Sequence, residues 1–264
     1  MKQLNKMGYE AYVVGGCVRD SLLGFEPKDW DICTSATPDE VEEVFSHEDT
    51  AHIVETGLQH GTVSVIMDHV PYEVTTFRVD GEYTDHRHPD AVRFVRSLRE
   101  DVGRRDFTVN AMAYHPDTGV IDYFGGQEDL ARHVIRAVRD AHQRFSEDAL
   151  RILRALRFAS VYGFHIDEET GKAIRDLYPT LSHVASERIW QEMKKLLCGN
   201  GCLSILLTYP EVICEVFPEL APSVGFDQMN PHHIYTVYEH MVRSVALVPP
   251  RMIFILPTPI LSIM

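Results

Sequence analysis

The chain has 264 residues, 45% of them hydrophobic, and a formal charge of -14 from 25 Lys and Arg against 39 Asp and Glu. That is enough chain for one large domain or two smaller ones with a sizeable core. No apolar run reaches the roughly 18 residues of a membrane span, and MKQLNKMGYE lacks the apolar stretch of a secretory signal. The acidic balance opposes indiscriminate phosphate binding, but six arginines lie between Arg87 and Arg105 and seven between Arg132 and Arg157. A local basic stripe can bind phosphates on an acidic protein.

In chain order, YVVGG, DWDICT, HIVET, TVSVIM and YEVTTFRV read as strands. CVRDSLL and PDEVEEVF read as helices, the second with Thr37 as N-cap and Pro38 at its first position. EYTDHRHPDA is a polar loop, expected to be mobile, and FGGQEDL a turn and helix start, expected to be a hinge. From Phe145 onward, SEDALRILRALRFASVYGF, DEETGKAIRDLY, SERIWQEMKKLLC and PHHIYTVYEHMVRSVA carry helical apolar stripes. His233 and His240, seven apart, are expected on one face of the last of these, without a metal-site pattern. The closing VPPRMIFILPTPILSIM is apolar and broken by prolines, a poor amphipathic helix. The five cysteines form no C-x-x-C pair and read as reduced, mostly buried thiols.

Three features of the first half carry chemistry. Asp29 and Asp31 form a D-x-D. On a strand, residues i and i+2 share a face, and paired carboxylates suit hard cations such as Mg2+. Two metal ions in turn suit phosphoryl or nucleotidyl transfer. Gly15 and Gly16 end a strand and open a helix, where backbone N–H groups can approach phosphate, and Arg19 adds a cation one turn in. Glu73, on YEVTTFR, is a candidate third carboxylate.

Together these residues resemble the class II nucleotidyltransferases, the family of CCA-adding tRNA nucleotidyltransferases and bacterial poly(A) polymerases. Further stretches match that family in order: VTTFRVDGEYTDHRHPDAVRFV, RRDFTVNAMAY, IDYFGGQEDLARHVIRAV, EDALRILRALRFA and SERIWQEM. The resemblance runs over residues 10 to 245. It implies an α+β chain: a polymerase-β-like nucleotidyltransferase head (1–125), an all-α neck that selects the nucleotide (126–200) and the start of a helical body (201–264). It also implies template-independent addition of CMP and AMP from CTP and ATP to the tRNA 3′ end, with pyrophosphate released.

By the same resemblance Asp29 and Asp31 hold Mg2+. Gly16, Arg19 and Arg105 take the triphosphate or ribose, with Arg104 and Asp106 in support. Asp148 and Arg151 pair with the base edge from one helix. A carboxylate accepts from the amino group and a guanidinium donates to the ring nitrogen that cytosine and adenine share. Arg154 reaches base or phosphate, and Arg157 a phosphate or a supporting pair. The partners are tRNA, CTP and ATP, without a membrane; a homodimer is compatible, and the compartment is the cytoplasm.

Three alternatives stand beside this reading. A poly(A) polymerase is disfavoured because ETGLQHGTVSVIM stands where that branch carries a G-R-R-F-x-L-like signature. The others are an enzyme adding only CC or only A, and a truncated, non-catalytic nucleotide- or RNA-binding protein, against which the intact D-x-D speaks. The family runs longer, with C-terminal helical domains that hold tRNA. Nucleotide binding is therefore expected to survive in this chain, and tRNA binding to be weak and steeply salt-dependent.

Overall fold

A computed structural model describes residues 1–46, 48, 51–54, 61–81, 92–230 and 232–248. The loop expected at EYTDHRHPDA and nearly all of the closing apolar stretch lie outside the described residues. The chain divides into two compact units: 1–132 with 136–140, and 133–135 with 141–264.

The first unit holds α1 (Lys2–Lys6), β1 (Ala11–Val14), α2 (Gly16–Leu22), β2 (Asp31–Thr34), α3 (Pro38–Ser46), β3 (Ala51–Val54), β4 (Thr62–Met67), β5 (Val70–Thr76), β6 (Arg78–Asp80), β7 (Val92–Phe94), α4 (Leu98–Gly103), β8 (Met112–His115), β9 (Gly119–Asp122) and α5 (Gly126–Ala131). Seven strands form one mixed sheet in the order β3-β4-β5-β2-β1-β8-β9. β1 pairs antiparallel with β2 and β8, while β2 and β5 run parallel. Alternation along the strands divides the core. Ala11, Val63, Val65 and Val74 pack with Val41 and Phe45 of α3, and Val14, Cys33 and Ala113 pack with Leu98 and Val102 of α4.

Local chemistry sets the boundaries. Thr37 and Glu40 form reciprocal bonds at the start of α3, Thr37 N to Glu40 Oε2 at 2.7 Å and Glu40 N to Thr37 Oγ1 at 3.5 Å. Those bonds to Thr37, the backbone N–H first, hold the Glu40 carboxyl below its usual range. The expected strand YEVTTFRV is two strands. Phe77, fully buried, leaves the β5 ladder and donates its N–H to Thr34 O at 2.7 Å. The FGGQEDL segment lies within the first unit, where Asp122 accepts from the N–H groups of Phe124, Gly126 and Gln127 at 3.1, 3.0 and 2.8 Å.

The second unit contains β10 (Val134–Ile135), α6 (Ala141–Glu147), α7 (Leu150–Tyr162), β11 (His165–Ile166), α8 (Glu168–Leu177), α9 (Ser186–Leu197), α10 (Cys202–Thr208), α11 (Pro210–Val216) and α12 (Val237–Leu247). Its core includes Phe145, Ile152, Leu153, Leu156, Ile174, Met193 and Leu196. SEDALRILRALRFASVYGF forms two helices rather than one. Asp148 accepts from Leu150 N at 3.1 Å and starts a new helix instead of continuing the old. His233 likewise precedes α12, which begins after the N-cap Thr236 and its capping box with Glu239. The His233 and His240 rings still meet edge-on, 5.9 Å apart. All five cysteines are unpaired. Among the described residues no helix is long and apolar enough to cross a membrane.

Gly126 shows how tightly α5 sits in the first unit. A Cβ there would lie 2.3 Å from the Thr108 carbonyl oxygen and 2.8 Å from Met112 Cγ. Gly126→Ala is expected to lower stability by about 1–3 kcal/mol through overpacking, read from urea unfolding midpoints.

Candidate functional site

In the first unit the site grows from the β1–α2 turn. Gly15 has φ 86° and ψ -131° and caps α2, a backbone state that side-chain-bearing residues rarely adopt. Its N–H donates to Met112 O at 3.0 Å, so the turn is tied to β8. A Cβ on Gly15 would lie 2.6 Å from Arg105 Nη1, and one on Gly16 3.5 Å from Arg19 Nη2. The glycines therefore allow two guanidiniums to lie against the turn.

Each guanidinium is held from behind. Arg19, buried, donates from Nε and Nη2 to Asp20 Oδ1 at 2.9 and 2.8 Å, and from Nη1 to Asn110 Oδ1. Asn110 Nδ2 donates to Asp106 Oδ1 at 3.0 Å, and Phe107 N donates to the same oxygen at 2.8 Å. Arg105 is anchored by Asp101, with Nη2 3.9 Å from Asp101 Oδ2. Asp101 is 1% exposed and also accepts from Arg104 and from Arg78 N.

The D-x-D sits beside this turn. Asp31 opens β2, half-buried, with Glu73 of β5 its neighbour in parallel register. Asp29 is exposed and precedes the strand instead of lying on it. The reason is the length of β1: its ladder with β2 ends at Val13↔Ile32, and Gly15 then turns the chain away. Asp29 thus has no strand to pair with. Burial raises the Asp31 carboxyl above its usual range, Arg105 pulls it down, and Asp29 pushes it up. The two carboxylates and Arg105 therefore share one electrostatic neighbourhood. No group of three or more His, Cys, Asp or Glu side chains converges as a metal site among the described residues. The donor chemistry nevertheless fits a hard cation, since oxygen ligands repel one another at Asp29 and Asp31 with Glu73 in register.

In the second unit, the base-reading candidates lie around the α6–α7 corner. Asp148 precedes α7, so it does not share a helix with Arg151 as the sequence suggested. One of its oxygens accepts from Leu150 N and the other from Arg188 Nη2, each at 3.1 Å. Arg151, 9% exposed, donates from Nη1 to Glu147 Oε2 at 2.7 Å and to Arg144 O at 3.0 Å. Glu147 also pairs with the buried Arg144. Arg154 lies with its guanidinium 5.4 Å from the Phe158 ring centroid. Arg157 stacks on the same ring at 3.9 Å and pairs with Glu192 at 2.7 Å. Sequence reading missed the residues that hold these side chains: Asp101, Asn110 and Glu147 for the arginines, and Arg188 for Asp148. Glu147 and Asp101 carried a local signal, each four residues before its arginine; Arg19 and Asn110 are 91 apart.

A glycine turn flanked by arginines beside a carboxylate pair, on a mixed sheet followed by helices, defines a polymerase-β-like nucleotidyltransferase head with a helical extension. Residues 11–136 match the poly A polymerase head domain, and residues 163–223 match the probable RNA and SrmB-binding site of polymerase A. The chain belongs to the class II tRNA nucleotidyltransferase and bacterial poly(A) polymerase family. It is 52% identical over 200 residues to the CCA-adding enzyme of Leuconostoc mesenteroides, covering 76% of this chain and 49% of that one. To the enzyme of Enterococcus faecalis it is 47% identical over 214 residues, 81% of this chain and 52% of that one. The solved Bacillus stearothermophilus CCA-adding enzyme in complex with CTP matches with TM-score 0.72 and 42% identity over 93% of this chain and 55% of that one. The Thermotoga maritima CCA-adding enzyme complexed with tRNA matches with TM-score 0.68 and 29% identity over 83% and 50%. The chain thus spans about half the length of the curated relatives it matches. Nucleotidyltransferases of this family generally use a divalent metal ion.

The Arg144–Glu147–Arg151 cluster gives a stability prediction. Its side chains are 7%, 16% and 10% exposed, and removing one partner of a buried pair leaves charge uncompensated. Glu147→Ala is expected to cost about 3 kcal/mol, measured by chemical denaturation. A cost below about 0.5 kcal/mol, typical of an exposed pair, would mean the cluster is solvated.

Proposed function

We propose that this protein adds CMP and AMP from CTP and ATP to the 3′ end of tRNA without a nucleic-acid template, releasing pyrophosphate. The observation that carries this reading is its likeness to CCA-adding enzymes, which extends through the head and into the helices that follow. The proposed division is a head over 1–125, a neck over 126–200 and the start of a body over 201–264. The proposed compartment is the cytoplasm, a reducing environment that suits five unpaired cysteines.

In this reading Gly16, Arg19 and Arg105 hold the triphosphate. Their guanidiniums are pre-oriented by Asn110, Asp20 and Asp101, so little side-chain freedom is lost on binding. Asp29 and Asp31 would hold Mg2+, which when bound neutralises charge on the transferring phosphate and makes the attacking hydroxyl more acidic. The terminal tRNA hydroxyl loses its proton to solvent as its oxygen bonds to the α-phosphorus, the α–β phosphoanhydride bond breaks, and pyrophosphate leaves with the charge. No side-chain nucleophile is needed. Asp148 and Arg151 read the base edge. Each Asp148 oxygen has one protein donor and keeps lone-pair capacity for an amino group. Arg154 and Arg157 support the reader, with the Glu192 pair fixing Arg157.

The test is incubation with Mg2+, labelled CTP or ATP, and tRNAs that lack one, two or three terminal nucleotides. Addition that stops at the completed CCA end is expected; a long run of adenylates from ATP alone would favour a poly(A) polymerase. Asp31→Ala is expected to abolish incorporation while circular dichroism and unfolding midpoint stay near those of the parent. Normal turnover in the Asp29→Ala/Asp31→Ala double variant would remove the metal assignment. Asp148→Ala is expected to narrow the preference for CTP and ATP over UTP and GTP by about 1–3 kcal/mol, the scale of a base-edge contact. Unchanged preference would place selection elsewhere.

A further inference from the structure

The turn between α9 and α10, residues 198–202 with the sequence CGNGC, holds a reactive pair that nucleotide binding does not use. Asn200–Gly201 is the one Asn-Gly step in the sequence. The Asn200 side chain is exposed, and a glycine after it leaves the next backbone nitrogen unhindered. That nitrogen is engaged: Gly201 N donates to Ser160 O of α7 at 2.8 Å. The turn is also pressed onto the same residue. A Cβ on Gly199 would lie 2.6 Å from the Ser160 carbonyl carbon, and one on Gly201 3.1 Å from Ser160 Cα. Ser160 is fully buried and donates from Oγ to Leu196 O, near the end of α9, at 2.7 Å.

We propose that Asn200 is a site of spontaneous deamidation, that the bond from Gly201 to Ser160 guards it, and that its isoaspartyl product detaches α9 from α7. The chemistry needs only water. The Gly201 nitrogen gives up its proton and bonds to the side-chain carbonyl carbon of Asn200. The bond from that carbon to the amide nitrogen breaks, and ammonia leaves with the proton. Water then opens the five-membered imide at either carbonyl, giving aspartate or isoaspartate. In the folded turn the Gly201 N–H is held by Ser160 O, so attack waits for local opening and its rate scales with the open fraction. The two products differ in length. Aspartate leaves the main chain as it was. Isoaspartate routes the chain through Cβ and adds one carbon–carbon bond of about 1.5 Å. A turn already against Ser160 at both Gly199 and Gly201 has no room for it. The effect on activity rests on the reading of Asp148 as the base reader. α9 carries Arg188, bonded to Asp148 at 3.1 Å, and Glu192, paired with Arg157 at 2.7 Å. Moving α9 off α7 releases both.

Peptide mapping of the full chain, held in mildly alkaline buffer with and without denaturing urea, follows conversion at Asn200. Conversion is expected to be at least about tenfold slower in the folded protein, an opening free energy of at least about 1.4 kcal/mol. Equal rates, or no conversion in urea, would overturn the proposal. The aged protein is then separated into aspartyl and isoaspartyl forms. The isoaspartyl form is expected to unfold at lower urea than the parent. It is also expected to lose about 5- to 150-fold of its preference for CTP and ATP over UTP and GTP, the range of one base-edge contact. Asn200→Asp, which adds the same charge without the extra carbon, is expected to match the parent in both measurements. An isoaspartyl form with the parent's midpoint would overturn the detachment of α9. So would an Asn200→Asp protein as impaired as the isoaspartyl form. If the parent adds no nucleotide to tRNA, the functional reading fails, and the unfolding midpoints still decide whether isoaspartate loosens the turn.

Discussion

A buried carboxylate just before the short 3-10 turn Thr108–Asn110 fixes much of the head. Asp106, 7% exposed, accepts from its neighbour's backbone N–H and from the Asn110 amide, and Asn110 passes the constraint on to Arg19. A charge-assisted bond in a poorly solvated setting is stronger and more directional than one in water. The effect is that an arginine at position 19 is oriented by a segment some ninety residues later. The same segment receives the Gly15 N–H through Met112, and it exchanges backbone bonds with residues 136–138: Thr108 N donates to Arg136 O, and Asp106 O accepts from Val138 N. Sheet, glycine turn and Arg19 are therefore one connected unit.

The two halves of the candidate machinery use charge differently. In the head, Asp20, Asn110 and Asp101 hold Arg19 and Arg105, while Asp29 pushes the Asp31 carboxyl up. Around the α6–α7 corner, the one carboxylate of Glu147 pairs with both Arg144 and Arg151. Arg151 is thus held at one nitrogen by Glu147 and by the Arg144 carbonyl. A pair of this kind stabilises little compared with an apolar substitute but holds its members in one arrangement.

Much of this was legible in the sequence, and the misses share a cause. The glycine turn, the D-x-D, both arginine stripes and the helical second half follow from local pattern, because periodicity and turn chemistry act over a few residues. The break between α6 and α7 escaped, since the apolar stripe runs across it while Asp148 bonds to the backbone two residues on. Asp29 was expected on a strand that starts two residues later, because strand length is set by where β1 ends. The split of YEVTTFRV depends on Phe77 bonding to Thr34, and the partners of Arg19 and Asp148 lie 91 and 40 residues away. Contacts of that separation leave no trace in a single sequence.

The path of the chain between the units has a bearing on how the molecule can be dissected. Residues 133–135 belong with the helices, where Val134 and Ile135 pair with His165 and Ile166. Residues 136–140 return to the head, where Phe107 bridges Ala137 and Arg136 pairs with Asp129. The polypeptide is sewn through both bodies before it leaves the first. No single cut yields two whole modules: ending a fragment at 132 strips the head of a backbone seam, and ending it at 140 takes β10 away from β11. Inheritance, expression and exchange of the head as a free-standing cassette would each require the stitch to be redrawn.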